Sequence, residues 1–316
     1  MKAIQVKEFG GPEVMELVAL PDPEPGEGEV VVDVARAGVN FADTHATRDD
    51  YLAKQRLPMI PGGEISGRIG DGRRVAAMLA GGGYAQKVAV PEALLVDIPD
   101  EVSDEQAAAL LLQGLTAHSL LQLSARLQPG ESVVVQAAGG GTGSLAVQLA
   151  RRMGAGTVIG LASSEPKREL ALRLGADAAL DSRSQDLEQE IVEANGGEPV
   201  DVVLEMSGGA AFDACLAALA PFGRLVTFGL ASRQPNQIRN VDLMSTSRSV
   251  IGFWLMHLFR CPQIVRAAIA ELLTAVAAGE LEVVIGGVYP LSEVRRAHEE
   301  LAARATQGKL LLDPAR

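Results

Sequence analysis

Aromatic residues, cysteines and basic charge are all scarce in this chain of 316 residues, and each shortage narrows what it can be. Phe, Tyr and Trp together make up 3% of the sequence, so its cores must be filled by Val, Leu, Ile and Ala. Cys215 and Cys261 are too few for a disulfide framework and suit a reducing compartment. Lys and Arg number 28 against 40 Asp and Glu, a net charge of −12. A general nucleic-acid surface needs clustered basic side chains, so no nucleic-acid partner is expected. The dense basic groups, Arg151 with Arg152 and Arg295 with Arg296, read as solvated helix faces. No run of 18 apolar residues occurs, which predicts no transmembrane helix. Residues 1–6 enter a strand-like alternation directly, without the apolar stretch of a signal peptide. A cytoplasmic protein with no membrane partner is expected.

What the chain has in quantity is glycine, 34 residues, with 16 prolines, spread over turn positions without any internal repeat. Residues 21–28 carry three prolines that cannot supply ladder donors, and so form a connection. Residues 29–35 (EVVVDVA) predict a strand, and shorter strands follow near 65–69, 74–78 and 85–90. Many short strands at close spacing predict a small antiparallel barrel. At Ser103, a predicted N-cap, the pattern turns helical. Strands at 133–136, 157–161, 178–181, 200–205, 224–228 and 250–253 then alternate with helices at 143–153, 166–174, 186–194, 211–220 and 243–247. Such alternation predicts a doubly wound parallel sheet. The tail from residue 261 holds two helical patterns and strands at 286–289 and 309–312. It has too little core to stand alone, and should return to the N-terminal region.

The segment from Ser132 to Ala150 reads as strand, tight turn and helix, with small residues at Ala138, Gly140 and Gly143 and with Gly141 and Thr142 between them. That spacing is a dinucleotide fingerprint. The first small residue permits the turn, the second lets backbone approach a pyrophosphate, and the third allows close helix–sheet packing. Glycines alone are a weak sign, but here they stand in the required context. The next strand decides the nucleotide. An NAD site needs a carboxylate near its end, where this chain has Ser163, Ser164, Glu165, Pro166, Lys167 and Arg168. The serines can donate to a 2′-phosphate and Lys167 or Arg168 can neutralise it, which favours NADPH over NADH. A solvated helix position is the other reading of Lys167.

Further motifs are Ala37-Gly38-Val39-Asn40-Phe41-Ala42-Asp43, Pro61-Gly62-Gly63-Glu64-Ile65-Ser66-Gly67, Gly82-Gly83-Tyr84-Ala85, Gln113-Gly114-Leu115-Thr116-Ala117-His118, Leu174-Gly175-Ala176-Asp177 and Gly308-Lys309-Leu310-Leu311-Leu312. With these the whole chain resembles the medium-chain dehydrogenase/reductase superfamily, in its zinc-independent, zeta-crystallin-like NADPH:quinone oxidoreductase branch. The resemblance implies an α/β chain in which a doubly wound Rossmann domain is inserted into a GroES-like β-barrel catalytic domain, with the active site in the cleft. On that reading, residues 1–111 begin the catalytic domain, 112–256 form the NADPH-binding domain, and 257–316 complete the first. It also implies a homodimer, joined through the edge of the Rossmann sheet. Zinc enzymes of the superfamily place Cys where Asn40 stands and His where Gly63 stands, so both ligands are missing and no metal is expected.

Metal-free hydride transfer suits acceptors that are already electron-poor, namely quinones and α,β-unsaturated carbonyls. Asn40 and Asp43 resemble the family pair beside nicotinamide and substrate, with Asp43 read as an orienting group. Tyr51 either caps the pocket or donates a proton, or else is a core or loop residue, and Gln113 can orient an acceptor oxygen. Met206, Phe228, Gly229, Leu230, Phe253, Trp254 and Leu255 are expected along the nicotinamide half, the aromatics being core in the alternative reading. A tyrosine that often holds the 2′-phosphate is missing near Asp181, and Arg183 either replaces it or is an exposed loop arginine. The hairpin between Gly67 and Arg74 is also shorter than is usual in the family. The competing functions are a non-catalytic NADPH-binding protein and an enoyl-thioester reductase, the latter needing a basic groove that the sequence does not display.

Overall fold

Eleven residues, Glu29–Val39, form the strand around which the first part of the chain is organised. In the computed structural model, which describes residues 1–50 and 52–316, two units separate: Met1–Leu112 with Glu271–Arg316, and Gln113–Ala270. In the first unit Glu29–Val39 pairs antiparallel with three strands. Its start pairs with Lys87–Pro91, its middle with Glu64–Arg68, and its end with Lys309–Asp313. The strand therefore runs four residues beyond the expected end at residue 35, because the returning tail supplies hydrogen-bond partners for residues 37–39. The sheet continues through Arg74–Met78 to Val96–Asp97 on one side, and to Ile285–Pro290 on the other. A hairpin of Lys2–Val6 and Met15–Ala19 joins through bridges from Ala3 to Ala85 and from Val6 to Met59. Ile4, Val32, Val39, Ile65, Val75, Tyr84, Leu310 and Leu312 share the core. The tail returns because Leu310 and Leu312 complete that core.

The second unit holds six parallel strands: Ser132–Gln136, Thr157–Ala162, Ala178–Asp181, Val200–Glu205, Leu219–Thr227 and Ser249–Gly252. Across the sheet they lie in the order third, second, first, fourth, fifth, sixth, the doubly wound arrangement. Every residue of Ser132–Gln136 is buried, as expected of a central parallel strand covered on both faces. Helices Gly141–Arg152, Glu165–Arg173, Leu187–Ala194, Ala210–Ala217 and Asn240–Thr246 occupy the predicted intervals. Leu219–Thr227 starts earlier than residue 224, and Phe222, whose N–H reaches the Ser247 carbonyl, bends it at a φ of 67°. From the sequence, residues 257–270 are expected with the first domain. In the structure they fall with the second, since helix Pro262–Ala277 runs on without a loop to mark a border.

Between Val34 and Arg36 the register with Glu64–Arg68 shifts, and the backbone of the long strand crowds Gly67. A Cβ at Gly67 would run into the carbonyl oxygen of Asp33. Gly67→Ala should therefore cost about 1–3 kcal/mol through overpacking, measured by urea unfolding; an unchanged midpoint would refute this packing.

Candidate functional site

In the first unit the strand ending at Val39 passes through an extended Asn40 into the short helix Phe41–Ala46. The Asn40 N–H donates to Asp43 Oδ2 at 2.8 Å, closing the helix start. The Asn40 carboxamide is spent elsewhere. Its Nδ2 donates to Glu64 Oε1 at 2.8 Å, and its Oδ1 accepts from Lys309 Nζ at 2.6 Å. Lys309 also forms an ion pair with Glu64 Oε1, while Glu64 Oε2 accepts the Leu112 N–H at 2.8 Å. Asn40, Glu64 and Lys309 are 2%, 0% and 1% exposed, so this is a buried charge pair with its hydrogen bonds filled. Gly38 provides the room: a Cβ there would overlap the Glu64 carboxylate.

A second chain of contacts starts at Asp43. Tyr84 Oη donates to Asp43 Oδ2 at 2.8 Å and meets His298 Nε2 at 3.0 Å. Burial raises Asp43 to about 6, against the lowering effects of the Asn40 N–H, Tyr84 and Lys309. Burial, followed by the charge of Arg48, lowers His298 to about 4, leaving it neutral near pH 7. Its Nδ1 is buried without a partner among the described residues. The structure thus brings Asn40 and Asp43 together, and adds Lys309, Tyr84 and His298, to which the sequence assigned no role. Tyr84 and Lys309 lie within the motifs quoted above; His298 carried no signal. Tyr51 lies outside the described residues.

These donors do not fit a catalytic zinc. Gly63 offers no side chain, Asn40 Oδ1 is engaged by Lys309, and both Glu64 oxygens are occupied. Among the described residues no group of three His, Cys, Asp or Glu is arranged to hold a metal.

In the second unit the chain leaves Ser132–Gln136 through Ala137, whose φ of 50° makes the turn expected from the sequence at Ala138. Alanine carries no signal for that conformation. Ala138 is buried and donates its N–H to Leu161 O at 3.0 Å. Gly140 precedes helix Gly141–Arg152, which has no side-chain cap, so first-turn N–H groups at Gly141, Thr142 and Gly143 lack intrahelical acceptors. A Cβ at Gly143 would strike the Ala137 carbonyl. Gln113 lies against Gly141 where a side chain would stand, its Oε1 buried and without a hydrogen-bond donor among the described residues. The structure thus sets Gln113 on the glycine turn.

The second strand, Thr157–Ala162, ends at Ser163 and Ser164, and Ser164 precedes helix Glu165–Arg173 without capping it through its side chain. Arg183, beyond the third strand, donates a guanidinium N–H to the Ser163 carbonyl while remaining 71% exposed. Arg168 pairs with Asp181 at 3.7 Å, and the stem of Lys167 packs on Gly139. Ser163, Ser164, Lys167 and Arg183 are thus gathered beside the turn, and Glu165 is exposed. At the ends of the later strands, Met206 O accepts the Ala231 N–H at 3.0 Å, and Gly229 packs on Met206. Phe253 N–H reaches Thr227 O at 2.9 Å. Phe228, Leu230, Phe253, Trp254 and Leu255 are half-buried there, not enclosed as core. All of these groups stand at carboxyl ends of parallel strands, where doubly wound sheets bind ligands.

Residues 26–100 match the family model described as alcohol dehydrogenase GroES-like domain, and residues 141–275 that described as zinc-binding dehydrogenase. The quinone oxidoreductase of Pseudomonas aeruginosa is 33% identical over 330 residues, covering 99% of each chain. The Escherichia coli quinone oxidoreductase, solved in complex with NADPH, superposes with a TM-score of 0.93 at 32% identity, over 99% of this chain and 100% of that one. The quinone oxidoreductase from Thermus thermophilus, also solved with NADPH, gives 0.90 at 40% identity over the same shares. A GroES-like barrel interrupted by a Rossmann sheet is the architecture of the medium-chain dehydrogenases and reductases. Within that superfamily, this chain belongs to the quinone oxidoreductase branch.

Asp43 and His298 impose opposite pH dependences. Asp43, raised in the folded state from 3.8 to about 6, contributes stability below its unfolded value that is lost as pH rises through about 6. His298, lowered from 6.5 to about 4, contributes stability above 6.5 that is lost as pH falls through about 4. Asp43→Asn removes only the first dependence. The variant should therefore lose stability relative to wild type on going from about pH 7 to about pH 4.5, by urea unfolding; parallel profiles would refute the raised Asp43.

Proposed function

We propose that this protein is an NADPH-dependent reductase of quinones and α,β-unsaturated carbonyls. The observation that carries the reading is the corner of Ser163, Ser164, Lys167 and Arg183, which stands beside an uncapped glycine turn with no carboxylate at the end of the second strand. That corner suits the extra phosphate of NADPH, and the N–H groups of Gly141, Thr142 and Gly143 suit its pyrophosphate. Gln113 Oε1, a buried acceptor lacking a donor among the described residues, is filled by a hydrogen bond from the cofactor. Met206 and residues 228–230 and 253–255 line the nicotinamide half. When bound, NADPH supplies a hydride. Asn40 then offers its amide to the acceptor and Asp43 orients the helix behind it, and only an acceptor already electron-poor reacts without stronger polarisation.

We also propose a cytoplasmic homodimer. No helix among the described residues is long and apolar enough to cross a membrane, and both cysteines are free thiols. Ser249–Gly252 is the outermost strand of its sheet, and Phe222, Val241 and Met244 nearby are exposed by 79%, 49% and 75%. Light scattering should give twice the 33.0 kDa chain mass, and Met244→Glu should lower it; a monomeric wild type overturns this assignment.

The function is tested by following NADPH and NADH consumption against 1,4-benzoquinone, 1,2-naphthoquinone and a simple enone. NADPH oxidation with at least one acceptor is expected, and none with any would end the reading. Arg183→Ala should weaken NADPH binding about ten- to a hundredfold while leaving NADH binding unchanged. Equal loss for both nucleotides would remove Arg183 from the 2′-phosphate.

A further inference from the structure

The Asn40 carboxamide is gripped from both ends by groups that cannot exchange roles. An ammonium only donates and a carboxylate only accepts, so Oδ1 must face Lys309 and Nδ2 must face Glu64. The amide is therefore fixed against the half-turn flip that an asparagine between neutral partners can make. Strand register builds this grip. Leu310 lies opposite Val39, which sets Lys309 opposite Asn40, and Ile65 lies opposite Ala37, which sets Glu64 opposite Gly38. Neither charge can be dropped alone, since each is almost fully buried and offsets the other. Nδ2 carries two hydrogens. Glu64 takes one, and the other has no acceptor among the described residues.

We propose that Lys309 and Glu64 are positioning residues, an ion pair that aims the second Nδ2 hydrogen of Asn40 at the carbonyl oxygen of the acceptor. The inference rests on the reductase reading above. In that reaction the acceptor gains two electrons and a hydrogen nucleus as hydride, leaving the oxidised nucleotide, and its oxyanion then takes a proton from water. Negative charge grows on the acceptor oxygen during transfer. A donor already oriented there stabilises the charge without reorganising at the moment of reaction.

The test is steady-state quinone reduction by wild type, the double variant Glu64→Gln/Lys309→Met, and Lys309→Arg, with NADPH affinity and thermal unfolding measured on each. The double variant removes both charges together, so no uncompensated ion is buried, and it leaves the glycine turn untouched. Its kcat should fall about ten- to a hundredfold while NADPH affinity stays within about threefold of wild type. Lys309→Arg keeps the charge that offsets Glu64, but its planar fork cannot replace one nitrogen shared between Asn40 Oδ1 and Glu64 Oε1. Its kcat should fall about tenfold at a temperature well below its own melting point, and it decides the matter if the double variant does not fold. Folded variants that retain wild-type kcat overturn the positioning role. A wild type inactive on every quinone instead overturns the reductase reading, and the proposal with it.

Discussion

A fully buried carboxylate, Glu64, sets the terms for the first unit. An ionised group cannot remain in such a place without an opposite charge and filled hydrogen bonds. Here the charge comes from the last strand of the chain, in Lys309, and the hydrogen bonds come from Asn40 and the Leu112 backbone. The long strand Glu29–Val39 has to be glycine at position 38 so that the carboxylate can lie across it. The tail must return to bring Lys309 into register, and Leu310 and Leu312 hold it there by completing the core. One electrostatic requirement thus ties the chain's beginning to its end.

The second unit meets a different constraint, that of backbone approach. The groups proposed to face its ligand are mainly main-chain N–H donors at a helix start, and small residues there let the backbone pack closely. Ala137 turns left-handed to bring the helix close, Gly143 lets it touch that turn, and the space at Gly141 is taken by Gln113. Glu205 steadies the next strand end by accepting the N–H groups of Ser207 at 2.7 Å and Gly208 at 2.6 Å, together with the Thr227 hydroxyl. The strands are interchangeable stretches of Val, Leu and Ile. The specificity of this edge lies in the turns and loops at their carboxyl ends.

This division explains what could be read in advance. The parallel sheet was legible because helix and strand periods alternate strictly from Ser132 onward, and the glycine turn because its spacing is local. Asn40 and Asp43 were legible as a motif within one turn of chain. The grip of Lys309 on Asn40 was not, since it spans 269 residues, and the contact of Tyr84 with His298 spans 214. A lysine in a closing strand gives no sign that it will be 1% exposed. Arg183 stood open between two readings because only the fold brings the third strand's end against Ser163. Ala137 was missed for a local reason: a non-glycine residue at positive φ is held there by its surroundings, not by its own preference.

The nature of the grip also bears on which acceptors suit this chain. A catalytic metal polarises an oxygen with a full charge in direct contact, enough to activate a simple carbonyl. The Lys309–Glu64 pair delivers no such charge outward, because its own opposite charges are spent on each other and on Asn40. In the proposed arrangement, what it passes on is a single oriented N–H dipole. That dipole helps only where the acceptor already delocalises most of the incoming negative charge, as a quinone or a conjugated carbonyl does. In that proposed arrangement, restriction to electron-poor acceptors follows from burying a neutralised pair, independently of the shape of any pocket.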